Sequence, residues 1–148
     1  MHETRHDGFE VDDDVERLQV DVVHGFLREA YWSPGIPRDV VERAIRNSLV
    51  VGLYSPGGGQ VGMARAVTDR ATFAWIADVF VLRQYRGRGL GRYVVEALLK
   101  HPDLVGLRRQ MLATADAHEL YRRYGFEDLT DPEIYLVRRT PPEVLYAR

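Results

Sequence analysis

The chain has 148 residues, of which 45% are hydrophobic and 28% are charged, and its formal net charge is -2. This length suits one domain, and the composition is ordinary for a globular protein. The near-neutral charge argues against nucleic acid or an anionic membrane as a partner, because both are bound through an excess of lysine and arginine. The absence of cysteine excludes disulfides, thiolate metal sites and a cysteine nucleophile.

Neither a membrane span nor a secretory leader is visible in the sequence. No apolar run reaches the roughly 18 residues that a span requires, and the polar start MHETRHDG lacks the apolar core of a signal peptide. We therefore expect a cytoplasmic enzyme or binding domain that holds no metal. We also expect residues 1–8 and 140–148 to be loose tails of a single domain.

The first half of the chain predicts two helices followed by an antiparallel meander. After a short strand at Phe9–Val11, three aspartates favour the start of a helix whose apolar residues recur from Val15 to Ala30. The segment YWSPGIP breaks this helix, and Pro37 suits the first position of the next one. The predicted strands of the meander are Leu49–Tyr54, Val61–Thr68 and Thr72–Leu82.

The second half alternates helices and strands. A helix with apolar residues at Leu90, Val94 and Leu98 ends before Pro102. The remaining predicted elements are a strand at Gln110–Thr114, a helix at Asp116–Tyr124 and a final hairpin of Phe126–Leu129 with Ile134–Arg138. The antiparallel front half and βαβα back half predict an α/β (α+β) fold, with helices flanking a mixed central sheet.

The most informative stretch is a glycine-rich basic turn between the strand that ends near Leu82 and the following helix. Gly87, Gly89 and Gly91 alternate with arginines in this turn. A turn that opens a helix presents free N–H groups and the positive end of the helix dipole, so it suits phosphate. The dinucleotide fingerprint is not matched, because Arg92 stands where G-x-G-x-x-G needs its third glycine, and no P-loop motif is present.

The run QYRGRG at 84–89 resembles the Q-x-x-G-x-G turn with which the GNAT superfamily of N-acetyltransferases binds the pyrophosphate of acyl-CoA. A second run, Ala117–Phe126, resembles the A-x-x-x-Y-x-x-x-G-F ending of these enzymes. The order of elements agrees with the GNAT order over most of the chain. The whole sequence is similar to a bacterial subgroup assigned as N-acetyltransferases from sequence.

The resemblance implies a GNAT-like acyl-CoA N-acyltransferase fold, acetyl-CoA as the cofactor, and transfer of an acetyl group to a primary amine by direct attack. One position departs from the family, because Thr114 stands where many members carry an asparagine. The asparagine's contact with the cofactor is therefore not carried over unchanged. The implied cofactor-binding residues are Val79, Phe80, Val81, Gln84, Arg86, Gly87, Arg88, Gly89, Leu90, Gly91, Arg92 and Thr114.

For catalysis, Tyr121 matches the family's acid, which assists the departing thiolate, and a phenol with a pKa of about 10 stays protonated at neutral pH. A core aromatic is the alternative for this residue. Asp78 is the first candidate for the base, before His118 and Glu119, although a buried aspartate can equally be a structural carboxylate. A splayed or bulged point in the Val79–Val81 strand would offer an N–H to the oxyanion.

On the acceptor side, Tyr31 and Trp32 lie in the loop that covers the acceptor channel in GNAT-like folds, or else they only plug the edge of the sheet. The acceptor stays open between a small-molecule amine and a protein amine. Pairing into a homodimer is also open, since GNAT-like domains often pair through their sheets. Two other classes compete with the enzyme: a non-catalytic CoA-binding sensor or interaction module, which the presence of Tyr121 disfavours, and a nucleic-acid binder, which the net charge disfavours.

Overall fold

The computed structural model describes residues 1–147 and contains one six-stranded mixed sheet with helices on both faces. The strands are β1 His2–Thr4, β2 Glu10–Asp12, β3 Leu49–Tyr54, β4 Gln60–Thr68, β5 Phe73–Val81 and β6 Arg109–Met111. The α-helices are α1 Val20–Leu27, α2 Arg38–Arg46, α3 Leu90–Leu99, α4 His118–Arg122 and α5 Pro142–Leu145. Short 3-10 helices occur at Val15–Arg17, Arg83–Tyr85, Pro102–Leu104 and Pro132–Ile134.

The strands lie in chain order across the sheet, and only the last pair is parallel. Alternate residues of β3 face opposite layers: Val51 belongs to the same buried cluster as Val94 of α3, whereas Val50 belongs to the cluster of Val23 of α1 and Val41 of α2. This arrangement confirms the predicted mixed sheet flanked by helices. No helix in the described part of the chain is both long and apolar enough to cross a membrane.

The first predicted helix is divided in the structure. A 3-10 turn at Val15–Arg17 is followed by extended backbone, and α1 starts only at Val20. The cause is a tertiary contact in which Gln19 N donates to Gln60 Oε1 at 2.7 Å, while Gln60 N donates to Gln19 Oε1 at 3.1 Å. This pairing needs extended backbone at Gln19. The spacing of apolar residues in the predicted helix could not indicate a contact with a residue as distant in the sequence as Gln60.

Both chain ends differ from the prediction of loose tails. Residues 2–4 form β1, because β2 offers them a backbone edge with Glu3 opposite Val11. Near the other end, Pro142–Leu145 form the short helix α5. Arg148, the last residue of the predicted C-terminal tail, lies outside the described residues.

The predicted final hairpin is absent from the structure. Strand β6 stops at Met111, and residues 126–139 contain only the 3-10 turn Pro132–Ile134. The hairpin prediction is therefore wrong for the single chain. Strand-type residues form a strand only where another strand pairs with them, and Leu136 instead stands 99% exposed.

Candidate active site

The sheet opens between β5 and β6. These strands pair only where Phe73–Trp75 face Arg109–Met111, so residues 76–81 of β5 have no strand on that side. The open edge includes the predicted cofactor-binding residues Val79, Phe80 and Val81. Unpaired backbone N–H and C=O groups at such an edge can bind an extended, amide-bearing ligand as an added strand would.

A bulge interrupts β5 at this opening. Met63 pairs with Phe80 and Arg65 pairs with Ala77, so Asp78 and Val79 together stand opposite the single residue Ala64. Asp78 has φ 51, which places it in the left-handed region. The structure thus contains the bulge that the sequence analysis expects, and a bulge of this kind aims backbone groups away from the ladder.

The glycine turn leads directly into α3. Gly87 and Gly89 have φ of 83 and 73, which only glycine adopts without strain, and Gly89 is the N-cap of the helix. Within the described residues, the backbone N–H groups of residues 87–92 donate to no acceptor. Free amides at the positive end of a ten-residue helix form a site suited to phosphate.

The arginine side chains in and around the turn make different contacts. Arg86 Nε donates to the carbonyl oxygen of Val81 at 3.0 Å and so braces the strand–turn junction. The guanidinium of Arg88 lies 5.7 Å from the ring centre of Tyr85. Arg83 and Arg92, like Gln84, are exposed. Arg83 and Arg92 make no side-chain hydrogen bond within the described residues, so both can contact a ligand without breaking one.

Arg5 is a neighbour of the turn that sequence reasoning missed. Its guanidinium lies 5.4 Å from the ring centre of Tyr93 and 3.7 Å from the place that a Cβ on Gly89 would take. Two hydrogen bonds of 2.9 and 2.7 Å hold it to Asp7, and this pairing lowers the pKa of the Asp7 carboxyl to about 2. No motif could indicate Arg5, because only the β1–β2 pairing brings it to the turn.

Tyr121 lies on α4 beside the opening and is 7% exposed. Its ring packs edge-on against Phe126 at 5.9 Å between centres. Burial, with the nearby Tyr31 as a lesser cause, raises the pKa of the Tyr121 hydroxyl to about 12. The phenol therefore keeps its proton throughout the physiological pH range.

Tyr121 and Thr114 both line a cavity of about 420 Å³ beside β6. The Thr114 hydroxyl accepts a hydrogen bond of 3.1 Å from the N–H of Ala117 and so supports the start of α4. His118 also lines this cavity. Glu119 points away into solvent and pairs with Arg122 at 2.9 Å. The arrangement makes Glu119 the weakest of the three alternatives for the base.

The structure brings Trp32 and Asp78 into contact. Trp32 Nε1 donates to Asp78 Oδ1 at 2.9 Å, and Arg65 Nε donates to Oδ2 of the same carboxylate at 2.8 Å. Arg65 also donates to the Ser48 hydroxyl at 2.9 Å. Arg65 was not identified from the sequence, because its role depends on the pairing of β4 with β5. This network ties the loop between α1 and α2 to the bulge.

Aromatic rings line the same side of the opening. The ring of Phe26 stacks on Phe80 at 4.1 Å and lies 6.2 Å from Trp32. Tyr31 is 65% exposed, and its hydroxyl accepts a hydrogen bond of 3.3 Å from the N–H of Ala115 on the far side of the opening. The loop therefore spans the gap between the two halves of the sheet.

Comparison with known proteins agrees with this geometry. The family model described as an acetyltransferase (GNAT) domain matches residues 46–128. FG08082 of Gibberella zeae, a candidate acetyltransferase, is 34% identical in an alignment 142 positions long, and the match covers 80% of this chain and 78% of that protein. A crystal structure of a GNAT-family protein from Xanthomonas campestris pv. campestris is 41% identical and has a TM-score of 0.90, covering 99% of this chain and 100% of that one.

A more distant structure shares the fold. N-acetylglutamate synthase from Neisseria gonorrhoeae, in complex with coenzyme A and N-acetyl-glutamate, is 18% identical with a TM-score of 0.64, covering 94% of this chain and 31% of that one. Fold and family together define an acyltransferase enzyme. The chain belongs to the GNAT superfamily of acetyltransferases.

Proposed function

We propose that this protein is an acetyl-CoA-dependent N-acetyltransferase that moves an acetyl group to a primary amine by direct attack. The observation that carries the proposal is the row of free N–H groups at residues 87–92, placed beside the open edge of β5. The turn amides hold the pyrophosphate, and the edge at Val79–Val81 pairs with the amide-bearing arm of the cofactor. The complex of coenzyme A with the Neisseria enzyme of the same fold supports this assignment.

Bound acetyl-CoA supplies a thioester, and the residues around the opening meet three requirements of acetyl transfer. The bulge at Asp78–Val79 offers a backbone N–H to the carbonyl oxygen on which negative charge develops. Tyr121 stands on the other side of the gap and stabilises the departing sulfur. Asp78 faces the acceptor side, where it attracts the charge of an ammonium group or receives its proton.

The acid role of Tyr121 is best described as hydrogen-bond donation. A thiol has a pKa near 8.5, whereas burial raises the pKa of Tyr121 to about 12. Complete proton transfer from the phenol to a thiolate is therefore unfavourable. A hydrogen bond from the phenol to the thiolate is favourable and costs no proton, because the donor keeps its hydrogen throughout the reaction.

The first test is cofactor binding. Acetyl-CoA at about 100 times its dissociation constant should stabilise the fold by about 2.7 kcal/mol, since it binds only the folded chain. Differential scanning fluorimetry with acetyl-CoA measures this shift, and a panel of amines assayed for release of free CoA then identifies the acceptor. No shift at saturating acetyl-CoA would contradict the cofactor assignment. A shift without turnover on any amine would favour a CoA-binding module.

Asp78→Asn should lower turnover most at low pH, where the amine is most protonated and a base is most needed. Asparagine tolerates the left-handed backbone almost as well as aspartate, so the bulge at φ 51 should persist. The measurement is the pH profile of kcat/KM on one accepted amine. Arg65→Gln is the matched control, because it removes the same ion pair but keeps the carboxylate. If the two variants have the same profile, Asp78 acts only through its pairing with Arg65.

Trp32→Ala should raise the KM for the acceptor by roughly threefold to thirtyfold, the usual worth of a ring beside a cation. Acetyl-CoA binding should stay intact, because Trp32 contacts Asp78, Phe26 and Tyr31, none of which belongs to the glycine turn. Trp32→Phe keeps a ring but loses the hydrogen bond to Asp78, so it separates the two contributions. An unchanged acceptor KM in Trp32→Ala would make this loop purely structural.

A further inference from the structure

The backbone at Asp78 adopts a conformation that a residue with a side chain disfavours. Asp78 has φ 51, and Arg70, with φ 62, is the only other non-glycine residue of positive φ within residues 1–147. The left-handed region is disfavoured because the Cβ comes too close to the following carbonyl oxygen. Arg70 lies in the short connection between β4 and β5, whereas Asp78 lies inside a strand. The contacts of Asp78 therefore select this conformation.

Two donors hold the Asp78 carboxylate, and they differ in strength. Arg65 Nε donates to Oδ2 at 2.8 Å, and Trp32 Nε1 donates to Oδ1 at 2.9 Å. The side chains of Arg65 and Asp78 are only 15% and 11% exposed, so water and salt screen this pair little. Trp32 is 37% exposed and its N–H is neutral, so water replaces that bond more readily. Arg65 is therefore the principal anchor of the carboxylate.

Arg65 is itself fixed by the regular part of the sheet. In β4 it pairs with Val50 of β3 on one side and with Ala77, the residue before Asp78, on the other. Its Nη1 donates at 2.9 Å to the hydroxyl of Ser48, which is buried just before β3. A guanidinium presents its donors in a rigid planar fork, so the contact with Ser48 also directs the Nε–H toward Asp78. The anchor of the carboxylate thus has a set position and a set direction.

We propose that Arg65 is a positioning residue for acetyl transfer, which holds the Asp78 carboxylate and thereby keeps residue 78 in the left-handed region. The inference rests on the proposed function, in which the N–H of the bulge at Asp78–Val79 stabilises the oxyanion. If residue 78 relaxed to negative φ, the peptide groups beside it would rotate and the bulge N–H would turn away from the opening. Because this N–H acts on charge that develops in the transition state, loss of Arg65 lowers kcat and leaves KM for acetyl-CoA nearly unchanged.

A comparison of glycine with alanine at position 78 tests the backbone directly. Asp78→Gly and Asp78→Ala both lack the carboxylate, so both lose any action of that group as a base and both leave Arg65 without this partner. They differ in backbone preference, because only glycine adopts positive φ without strain. The kcat of Asp78→Gly should exceed that of Asp78→Ala by roughly fivefold to thirtyfold, the population cost of the left-handed region for a residue with a Cβ. Equal kcat values would overturn the proposal.

Arg70→Gly and Arg70→Ala form the matched control pair. Arg70 also has positive φ, but its side chain is exposed and it lies outside the opening between β5 and β6. The glycine variant should again be the more stable of the two, because it relieves the same kind of strain. The two should nevertheless have the same kcat. A kcat ratio as large as the one at position 78 would mean that stability alone sets turnover, and it would overturn the proposal.

Arg65→Met tests the anchor in two backgrounds. In the natural chain it should lower kcat by roughly tenfold to a hundredfold, the usual worth of a hydrogen bond to a charged group. In the Asp78→Gly background the same change should alter kcat by no more than about twofold, because glycine keeps the conformation without an anchor. An equal loss in both backgrounds would mean that Arg65 acts elsewhere and would overturn the proposal. If Arg65→Met does not fold, the comparison at position 78 decides, because it keeps Arg65.

Crystal structures of the variants separate this inference from the proposed function, because they require no acetyl transfer. The φ of residue 78 should stay positive in Asp78→Gly and become negative in Asp78→Ala and Arg65→Met. The thermal shift with acetyl-CoA should be retained in all three, since the glycine turn is unchanged. If no amine is acetylated but φ changes as expected, the proposed function fails while the anchoring of the bulge by Arg65 stands. A positive φ in both Asp78→Ala and Arg65→Met would refute the positioning role.

Discussion

Tyr121→Phe is expected to lower turnover by roughly 10²–10³-fold, the usual worth of one hydrogen-bond donor to charge that develops in the transition state. The change removes only the hydroxyl, so the ring should keep its edge-on contact with Phe126. Acetyl-CoA affinity should change little, because the hydroxyl acts on the departing sulfur. Folding stability should not fall, because the hydroxyl makes no hydrogen bond within the described residues.

The measurement is kcat on one accepted amine, with acetyl-CoA affinity determined separately by titration. Tyr124→Phe is the matched control, because Tyr124 follows the same helix but does not line the cavity. Its hydroxyl instead donates a hydrogen bond of 3.4 Å to Glu96. This control should keep nearly full turnover. Near-normal turnover in Tyr121→Phe would assign stabilisation of the departing sulfur to another group or to water.

The raised pKa adds a prediction about pH for the same residue. Because the pKa of Tyr121 is about 12, the hydroxyl stays protonated at pH 10, where an exposed tyrosine is half ionised. The pH profiles of turnover for the wild type and for Tyr121→Phe should therefore have the same shape near pH 10. A basic limb near pH 10 that is absent from the variant would show that Tyr121 ionises more easily than its burial indicates.

Gly87→Val is expected to abolish the thermal shift that acetyl-CoA produces. Nothing lies within 4 Å of the place that a Cβ on Gly87 would take, so the space above the turn is open in the structure. A branched side chain would occupy that space and keep the pyrophosphate from the free N–H groups. The measurement is the change in melting temperature at saturating acetyl-CoA.

Gly106→Val separates this effect from backbone strain. Gly106 has the same φ of 83, it also has nothing within 4 Å of its Cβ position, and it lies in the loop before β6. Both variants should lose similar stability without ligand, because a branched residue is strained at positive φ. Only Gly87→Val should lose the ligand-induced shift. If both variants bind alike, the phosphate site lies elsewhere.

Short-range sequence patterns predicted the parts of the site that are formed by residues close together in the sequence. The glycine turn and α3 follow directly from alternating glycines and from apolar residues at helical spacing, and both lie where the sequence placed them. The meander strands were predicted to within one residue of their observed ends, because alternation and turn residues are short-range signals. A bulge in the Val79–Val81 strand was expected because the oxyanion needs a backbone N–H donor, and the structure contains a bulge at Asp78–Val79.

Contacts between distant residues could not be read in this way. Asp78 was identified from the sequence as a candidate for the base. Its partner Arg65 belongs to the neighbouring strand, and only the strand register brings the two together. Arg5 reaches the glycine turn only through the β1–β2 hairpin, and the first strand of this hairpin lies in residues 1–8, which were predicted to be a loose tail. The side-chain pairing of Gln19 with Gln60 likewise overrode a helical pattern.

By itself, the sequence predicted the family, the strand–turn–helix unit that suits phosphate, and Tyr121, which lies beside the opening of the sheet in the structure. These features depend on backbone geometry over a few residues, where glycine, proline and side-chain spacing act directly. Only the tertiary structure decided which charges meet Asp78, how the loop of Trp32 spans the opening, and that residues 134–139 form no strand. Those outcomes depend on contacts between residues that are far apart in the sequence, and a pattern within a short stretch cannot predict such contacts.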